Sequence, residues 1–474
     1  METEKFVFKN SLASSGEKID ITNPFTGNTV KEVFKASKDQ ISESLNYLNA
    51  VFYKFRTTPS YLRAELLEKV AGKISERKFE LSDLITLETG KPIKFSRVEI
   101  DRTIFTFRTG SGEARRIEGE ILPLDQIKGF ENKRGFVKRF PIGVILGITP
   151  WNFPANLVAH KLAPALASGN TVMLKPASAS VCTALEIGKI IMEASAESGL
   201  DYCPVNVIPA SGSEIEEFIS DDRIKMISFT GSPLVGWGLK TKMSKQRLSL
   251  ELGGNAGVIV DKTADYRSAI PKIVMGAFYS AGQSCISVQR VYVHKDIYND
   301  FEKLIVDAAS KVFFGNPEDE NCISGPMINE KEAQRAEKWI NDALESGAEL
   351  LYGGKRVGAV LEPAIIKNAP AACSVNSKEI FAPVMTITKF ENFEKAVEEV
   401  NNSDFGLQAG VFTNDLKNAM YAFENIETGG VIVNESSAFR VDSMPYGGVK
   451  HSGMGKEGIK YAIEEMTERK ILVI

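Results

Sequence analysis

Residues 143–150 read GVILGITP, a short and continuously apolar stretch that ends in a turn. Such a stretch is typical of a strand that is buried on both faces of a parallel sheet. Similar stretches recur later in the chain, with helical patterns between them, at residues 171–176, 205–209, 226–231 and 248–252. Strands that alternate with helices predict βαβ units and a parallel sheet, and therefore an α/β fold.

The predicted sheet indicates where a ligand would bind. Ligands of parallel sheets bind beyond the carboxyl ends of the strands, and several of these strands end in Pro, Gly or Ser turns that suit a phosphate. The glycine-rich fingerprint GxGxxG is absent. GSPLVG at residues 231–236 offers a glycine, a hydroxyl and the predicted start of a helix, which is weak evidence alone.

The regions around this sheet have different patterns. Residues 1–37 alternate around NPFTGN at 23–28, which predicts an N-terminal hairpin. From about residue 38 to 117, apolar residues recur at spacings of three and four, which predicts several helices. Residues 118–141 lack a helical stripe and are interpreted as an excursion from the main domain. A second alternating region, at about 256–428, predicts another α/β domain.

The chain ends in KILVI at residues 470–474, which predicts an apolar terminal strand. Such a strand needs a partner strand, and another subunit is one possible source.

Length and composition limit the class of protein. A chain of 474 residues accommodates two or three domains, and 43% hydrophobic with 25% charged residues is typical of a globular protein. The net charge of -4 and the lack of basic runs argue against nucleic acid as a partner. No apolar run suits a signal peptide or a membrane span, so we expect a cytoplasmic protein without a membrane partner.

The number and spacing of the cysteines and histidines limit which disulfides, metal sites and catalytic bases the chain can form. The five cysteines are odd in number and lack CxxC spacing, so we expect neither a disulfide framework nor a metal site. The three histidines lie far apart in the sequence. A carboxylate is therefore the better candidate for a catalytic base than a histidine.

The candidate nucleophile is Cys285, in the stretch AGQSCISVQR at residues 281–290. Residues 271–279 have helical spacing and residues 290–294 alternate like a strand, which places the thiol in a glycine-led turn between them. A thiol in such a turn can face a cleft. On this segment alone, a buried structural cysteine is an equal alternative.

Six motifs, in order along the chain, resemble those of the aldehyde dehydrogenase superfamily. They read PWNFP at 150–154, FTGS at 229–232, LELGGN at 250–255, GQSC at 282–285, EIFAP at 379–383 and PYGGVK at 445–450. The resemblance covers essentially the whole chain. It implies a Rossmann-like cofactor domain of residues 1–117 and 142–253, an α/β catalytic domain of residues 254–448, and a small β oligomerisation element of residues 118–141 and 449–474. That element would pair subunits into homodimers or homotetramers.

The resemblance also implies how an aldehyde would be oxidised. Cys285 matches the family's thiolate, which attacks the aldehyde to form a thiohemiacetal and, after hydride transfer, a thioester. Asn152 matches the residue whose side-chain amide, together with the backbone N–H of Cys285, stabilises the oxyanion. Glu251 matches the base that activates water for hydrolysis. Relatives that pass the acyl group to coenzyme A usually lack this glutamate, so the match favours hydrolysis.

The same matching implies which residues bind NAD or NADP. It assigns Lys175 to the adenosine ribose, Ser232 to the pyrophosphate and Glu379 to the nicotinamide ribose. The other matched cofactor positions are Trp151, Ser178, Gly231, Gly253 and Phe381. Members that are strict for NAD commonly carry a glutamate where this chain has Ser178. A neutral hydroxyl does not repel a 2′-phosphate, so both NAD and NADP are candidate cofactors.

Three charged or polar residues match the family's substrate tunnel: Arg102, His160 and Arg440. In relatives that oxidise simple aliphatic aldehydes, these positions tend to be apolar or aromatic. Two arginines and a histidine favour an aldehyde with an anionic or strongly polar far end. Ion-paired arginines are the structural alternative, since Asp101 and Asp442 adjoin them in the sequence.

Residues 286–290 and 434–442 are most similar to the branch that contains lactaldehyde, non-phosphorylating glyceraldehyde-3-phosphate and phosphonoacetaldehyde dehydrogenases. That branch handles small polar or anionic aldehydes. Enzymes for succinate semialdehyde usually carry arginine in place of His160, and some phosphonate-specific relatives carry arginine in place of Ser284. A generalist aliphatic aldehyde dehydrogenase is the first alternative enzyme, and a succinate-semialdehyde dehydrogenase is a less favoured one. An inactive protein of the same fold is the alternative from another class.

Overall fold

Two large and mostly parallel sheets organise residues 3–474, the part of the chain that this computed structural model describes. Their strands alternate with helices along the chain, which confirms the predicted α/β class. No helix within residues 3–474 is long and apolar enough to cross a membrane.

The N-terminal part of the described chain contains a hairpin and a run of helices. Its elements are β1 Thr3–Glu4, β2 Phe6–Phe8, β3 Ser11–Ala13, β4 Lys18–Thr22, β5 Thr29–Phe34, α1 Lys38–Phe55, α2 Ser60–Glu76, α3 Lys78–Thr89, α4 Ile93–Ala114, β6 Glu120–Pro123 and β7 Arg134–Pro141. β4 and β5 pair antiparallel across the turn at residues 23–28, which confirms the predicted hairpin. Residues 1 and 2 of that predicted segment lie outside the described residues. Helices α1–α4 confirm the helical interpretation of residues 38–117.

The predicted βαβ region forms the first large sheet. Its elements are β8 Val144–Ile148, α5 Asn156–Ser168, β9 Thr171–Lys175, α6 Val181–Glu197, β10 Val205–Val207, α7 Gly212–Glu216, β11 Ile224–Thr230, α8 Pro233–Lys242 and β12 Arg247–Glu251. The strand order is β10-β9-β8-β11-β12, all parallel, as the apolar stretches predicted. Chain order reverses between β8 and β11, and ligands of such sheets bind beyond the carboxyl ends of the strands at that point.

The second large sheet follows. Its elements and those that surround it are β13 Ala256–Val260, α9 Tyr266–Phe278, β14 Val288–His294, α10 Lys295–Ser310, α11 Glu330–Glu345, β15 Glu349–Tyr352, β16 Arg356–Val357, β17 Val360–Leu361, β18 Ala364–Lys367, α12 Ser374–Ser377, β19 Val384–Phe390, α13 Phe393–Asn401, β20 Phe405–Gly406, β21 Gln408–Phe412, α14 Leu416–Asn425 and β22 Gly430–Val433. The strand order is β15-β18-β19-β14-β13-β21-β22, with only β15 antiparallel to its neighbour. The predicted second α/β region is therefore confirmed.

A small antiparallel sheet uses the C-terminus. The last elements are β23 Val449–Lys450, β24 Gly453–Met454, α15 Ile459–Glu465 and β25 Thr467–Val473. β25 pairs with β7, and β6 pairs with the other edge of β7. The terminal strand thus finds its partner within its own chain. β24 instead joins the first large sheet beside β12, and β23 pairs with β20, so residues 449–474 contribute to three sheets. The division into cofactor, catalytic and oligomerisation parts remains a prediction.

The two large sheets are joined by the LELGGN segment, which runs from the end of β12 to the start of β13. A side chain at Gly254 would collide with the carbonyl oxygen of Cys285. Only glycine therefore lets this connection pass directly behind the cysteine turn. The same contact brings the end of β12, with Glu251, close to the segment that precedes β14.

Candidate active site

A cavity of about 630 Å³ is lined by residues from both large sheets. Its walls include the loops after β8, β9, β11 and β12 and the turn before β14. The predicted site residues that line it are Arg102, Trp151, Asn152, Lys175, Gly231, Ser232, Glu251, Gly253, Cys285, Glu379, Phe381 and Arg440. His160 and Ser178 do not line it. The fold therefore brings twelve of the fourteen predicted residues to one cavity.

Cys285 lies in the turn between α9 and β14, and its side chain is half-buried. Two residues before this turn, Ser280 and Ala281, have left-handed φ angles of 50° and 57°, which side chains rarely adopt. Backbone strain of this kind is concentrated at functional sites. The Sγ atom lies 2.9 Å from the hydroxyl of Tyr446. Burial raises the pKa of the Cys285 thiol to about 12.

Asn152 follows β8 and turns its amide toward the cysteine turn. Its Nδ2 donates a hydrogen bond to the carbonyl oxygen of Gln283, at 3.0 Å. An amide nitrogen carries two protons, so this bond leaves one N–H for another acceptor. The Oδ1 atom is buried without a hydrogen-bond partner within residues 3–474. One N–H of Asn152 therefore holds the side chain against the cysteine turn, and the other remains for a ligand in the cavity that Asn152 lines.

Glu251 is the last residue of β12 and is only 3% exposed. Neither carboxylate oxygen has a hydrogen-bond partner among residues 3–474. Burial, together with the negative charge of Glu457, raises the pKa of Glu251 well above its ordinary value. Structural carboxylates in protein interiors are normally hydrogen-bonded or paired. An unpartnered buried carboxylate that lines a cavity is typical of a catalytic acid or base.

The raised pKa values of Cys285 and Glu251 predict how activity depends on pH. A raised pKa keeps a thiol or a carboxyl protonated up to a higher pH, and both groups react only in their ionised forms. We therefore expect kcat/KM for an aldehyde to rise with pH between about pH 6 and pH 9. Initial rates at limiting substrate across that range test this expectation. A profile that falls over the same range would contradict it.

Asp442 joins three of the polar side chains around the cavity. Its carboxylate accepts two hydrogen bonds from Arg102, at 2.8 and 3.0 Å, and one from Nδ2 of Asn156, at 2.9 Å. His160 Nε2 lies 2.9 Å from the same carboxylate. Burial opposes ionisation, but the bonds from His160 and Arg102 hold the pKa of Asp442 well below its usual range. Asp101 pairs with Lys78 instead of Arg102.

This arrangement explains why His160 does not line the cavity. It lies on the buried side of α5, 1% exposed, behind the arginines and against Asp442. Nη2 of Arg440 lies 3.3 Å from its Nε2. Burial and the charge of Arg440 lower the pKa of His160, so the imidazole is neutral. His160 therefore supports the arginines and does not form part of the cavity wall.

Glu457 forms a second buried pair on the same wall. Its carboxylate accepts from Nζ of Lys161 at 2.7 Å and from Nη2 of Arg440 at 3.0 Å. Burial opposes ionisation, but the charges of Lys161 and Arg440 and the hydrogen bond from Lys161 hold the pKa of Glu457 far below its usual value. The polar end of the cavity is lined by Arg102, Arg440 and Glu457, with Lys161 and Asp442 buried behind them. Together these residues supply three cations and two carboxylates. While Glu251 beside Glu457 keeps its proton, one positive charge is uncompensated in this group, which we call the cationic cluster.

Sequence reasoning missed several of these residues. Asn156, Lys161 and Glu457 carried no motif, and Lys161 looks like an ordinary surface lysine in the sequence. Glu99 was also missed: its Oε1 accepts from the backbone N–H groups of Ala155 and Asn156, at 2.9 and 3.2 Å, and so holds the start of α5. Among the missed residues, only Tyr446 lies in one of the six motifs, PYGGVK. Its hydroxyl is the one sequence feature that could have indicated a role in the site.

The residues near β9 and β11 fit the phosphate part of a dinucleotide. Lys175 lies at the end of β9, and burial, without an offsetting carboxylate, lowers its pKa. Ser232 is the N-cap of α8, and its side chain caps no backbone N–H of that helix. The first-turn N–H groups are therefore open to an anion, which helix N-termini favour. A buried cation and an open helix start suit a pyrophosphate.

The residues near Glu379 fit the other half of a dinucleotide. Glu379 accepts a hydrogen bond from the N–H of Gly254 at 2.9 Å, and burial raises its pKa to about 7. A side chain at Gly253 would displace the Glu379 carboxylate from its present position. Trp151 and Phe381 meet edge to face across the cavity wall, with ring centroids 5.7 Å apart. A carboxylate beside aromatic rings suits a ribose and a flat ring.

Ser178 lies three residues after Lys175, at the start of a short 3-10 turn. Its side chain is exposed and stands outside the cavity wall. Ser178 is a neutral side chain, so it would not repel the 2′-phosphate of NADP.

The chain is similar to known proteins over nearly its whole length. Residues 12–472 match the model of the aldehyde dehydrogenase family. The chain is 43% identical to 3-sulfolactaldehyde dehydrogenase from Priestia aryabhattai, over 97% of this chain and 96% of that protein. Among solved structures, aldehyde dehydrogenase 21 from Physcomitrella patens, in complex with the reaction product succinate, is 41% identical at a TM-score of 0.97, over 100% of this chain and 98% of the other. The glyceraldehyde-3-phosphate dehydrogenase GapN from Methanocaldococcus jannaschii, complexed with NADP, is 35% identical at a TM-score of 0.93, over 97% and 100%. The chain therefore belongs to the aldehyde dehydrogenase family, whose members are NAD(P)-dependent enzymes that oxidise aldehydes to acids.

Proposed function

We propose that the protein oxidises a small aldehyde with an anionic far end to its carboxylate. The observation that carries this proposal is the cationic cluster, which places one uncompensated positive charge at the polar end of the cavity. A buried positive charge attracts an anionic group much more strongly than it would in water. The relative from Priestia aryabhattai is named for a sulfonated aldehyde, and the Physcomitrella patens structure contains the dicarboxylate succinate. Both names support an anionic substrate.

In the proposed mechanism, the Cys285 thiolate attacks the carbonyl carbon of the aldehyde. The carbonyl oxygen becomes an oxyanion, which accepts a hydrogen bond from the remaining Nδ2 proton of Asn152 and from the backbone N–H of Cys285. The resulting tetrahedral carbon can release hydride, whereas a planar aldehyde cannot do so easily. The bound nicotinamide cofactor supplies the hydride acceptor. A thioester on Cys285 remains.

Glu251 completes the reaction as a general base. Its ionised carboxylate takes a proton from a water molecule, and the hydroxide attacks the thioester carbon. The carbon–sulfur bond breaks, the acid leaves, and the Cys285 thiolate is restored. The raised pKa of Glu251 makes its carboxylate a stronger base than a solvated glutamate. Neither oxygen accepts a hydrogen bond from another group within residues 3–474, so neither is already occupied by the protein.

A panel of aldehydes tests the substrate class. We expect kcat/KM for 3-sulfolactaldehyde, succinate semialdehyde and glyceraldehyde 3-phosphate to exceed that for lactaldehyde and propanal by about tenfold or more, the strength of one charge-assisted hydrogen bond. Arg440→Met should remove this advantage, and Arg440→Lys, which keeps the charge, should retain part of it. Each aldehyde is assayed with NAD and with NADP, and the exposed Ser178 supports substantial activity with NADP.

The panel also separates the alternatives. If propanal is the best substrate and Arg440→Met changes no preference, the protein is a generalist aliphatic aldehyde dehydrogenase. If succinate semialdehyde is preferred over the sulfonated aldehyde, the protein is a succinate-semialdehyde dehydrogenase, a function that the succinate-bound relative favours. A requirement for coenzyme A would contradict the hydrolytic role of Glu251.

We further propose that the protein forms homodimers or homotetramers in the cytoplasm. The small antiparallel sheet exposes large apolar side chains on β6 and β25, with Ile121 72% and Leu472 60% exposed, which supports burial against another subunit. All five cysteines are free, including the proposed nucleophile, which supports a reducing compartment. We also propose the division into cofactor, catalytic and oligomerisation parts that the family resemblance implies.

A further inference from the structure

The hydroxyl of Tyr446 is the hydrogen-bond partner of Cys285 Sγ within residues 3–474, at 2.9 Å. Tyr446 is 4% exposed, and it packs with Ile286 and Leu407 in an apolar cluster that the thiol adjoins. Hydrogen bonds are stronger in such surroundings than in water because the effective dielectric constant is low. The contact therefore lies directly at the atom that reacts.

Arg440 stacks on the ring of the same tyrosine. The central carbon of its guanidinium lies 3.7 Å from the ring centroid, well within the range of a cation–π contact. The ion pair with Glu457 fixes the guanidinium in this place. A cation on the face of a phenol draws electron density from the hydroxyl and makes its proton a better donor.

We propose that Tyr446 is a further catalytic residue, whose hydroxyl donates a hydrogen bond to the Cys285 thiolate and stabilises it before the attack on the aldehyde. Arg440 acts as a positioning residue that strengthens this donor through the ring. The donor must be the phenol, because a thiolate carries no proton. The proposal rests on the assignment of Cys285 as the nucleophile.

The surroundings of both groups agree with this role. Burial raises the pKa of Cys285, and the bond from Tyr446, followed by the charge of Arg440, acts against that rise. Burial also raises the pKa of Tyr446 well above its usual value. The phenol therefore keeps its proton at neutral pH and can donate it in a hydrogen bond. Without Tyr446, the thiolate would have no hydrogen-bond donor among residues 3–474 to offset its burial.

Alkylation of Cys285 by iodoacetamide, in the cofactor-free enzyme, tests the proposal. Tyr446→Phe keeps the ring and removes only the hydroxyl, so the thiol pKa should rise by about one to two pH units. A more basic thiolate is also more nucleophilic, which offsets part of the decrease in rate that the smaller thiolate fraction causes. We therefore expect the alkylation rate constant at neutral pH to fall by about threefold to tenfold. Peptide-resolved mass spectrometry follows Cys285, and Cys285→Ser defines the background from the other cysteines.

Fluorinated tyrosine at position 446 provides a second variant with the opposite expectation. Fluorine lowers the pKa of a phenol and strengthens it as a donor, so alkylation of Cys285 should become faster than in the parent. This variant keeps the hydroxyl in place and protects the test against a Tyr446→Phe protein that fails to fold. Equal alkylation rates in the parent and in either folded variant would overturn the proposal.

Arg440→Met in both backgrounds tests the second part. If Arg440 acts through the ring, its replacement slows alkylation more in the parent than in the Tyr446→Phe background. Equal effects in the two backgrounds would show that Arg440 acts on the thiolate directly and would overturn its role through Tyr446. No aldehyde is present in this experiment, so its failure leaves the proposed substrate class standing. Likewise, a panel result that contradicts the proposed substrate class would not contradict the proposed role of Tyr446 at the thiol.

Discussion

Glu251→Gln is expected to halt the enzyme after a single turnover. The variant should release about one equivalent of reduced cofactor per subunit in a burst, because thiohemiacetal formation and hydride transfer do not need the base. The steady-state rate after the burst should fall by about a hundredfold or more, the usual contribution of a general base. Stopped-flow absorbance of the reduced nicotinamide measures the burst. Intact-mass spectrometry of the quenched variant should show the acyl group on Cys285.

Two controls make this result specific. Glu464→Gln makes the same chemical change at an exposed carboxylate outside the cavity and should turn over like the parent. The burst rate of Glu251→Gln, measured against pH, should still rise with pH, since it reports on the thiol alone. A steady-state rate close to the parent's would show that another group activates water. Loss of the burst itself would place Glu251 before hydride transfer.

Cys285→Ala is expected to abolish oxidation of every aldehyde. Without a thiolate, no covalent adduct forms, and the planar aldehyde does not release hydride readily. We expect kcat to fall by about ten-thousandfold or more, the scale of loss when an enzyme is deprived of its nucleophile. Initial rates at high enzyme concentration measure this fall. Binding of NADP, followed by the quenching of protein fluorescence, should persist because the cofactor contacts proposed above do not involve Cys285.

Cys373→Ala is the matched control for this variant, since Cys373 is also a half-buried free cysteine but lies outside the cavity. It should retain the activity of the parent. Residual oxidation above about one per cent in Cys285→Ala would contradict the assignment of the nucleophile. It would favour a mechanism in which hydride leaves without covalent attachment.

The fold could be predicted well because its determinants are local. Strands β8, β9, β10 and β11 of the first large sheet are short stretches rich in apolar residues, and each is followed by a helix. Such patterns arise because buried positions require apolar side chains. The spacing of apolar residues in the sequence therefore indicates directly which positions are buried. The C-terminal strand shows the limit of this reasoning. Its apolar character predicted the strand, but its pairing with β7 depends on a contact between distant parts of the chain.

The polar contacts of the cavity could not be predicted for the same reason. Asp442 stands two residues from Arg440, yet it forms its bidentate pair with Arg102, 340 positions away in the chain. The sequence therefore suggested ion pairing as an alternative to substrate binding, although an ion-paired arginine can also line a cavity. Arg102 and Arg440 are ion-paired and still line the cavity. His160 was grouped with them by its position, but the orientation of α5 places it behind them.

By itself, the sequence determined the α/β class, the family, and twelve of the residues that meet at the cavity, because apolar periodicity and short motifs are properties of neighbouring residues. The tertiary structure alone decided the net charge of the cationic cluster, the exclusion of His160 from the cavity wall, and the contact of Tyr446 with Cys285 Sγ. These features depend on distances between residues that lie more than a hundred positions apart in the chain. Electrostatic interactions and hydrogen bonds act over a few ångströms, and only the folded chain brings those groups within that range.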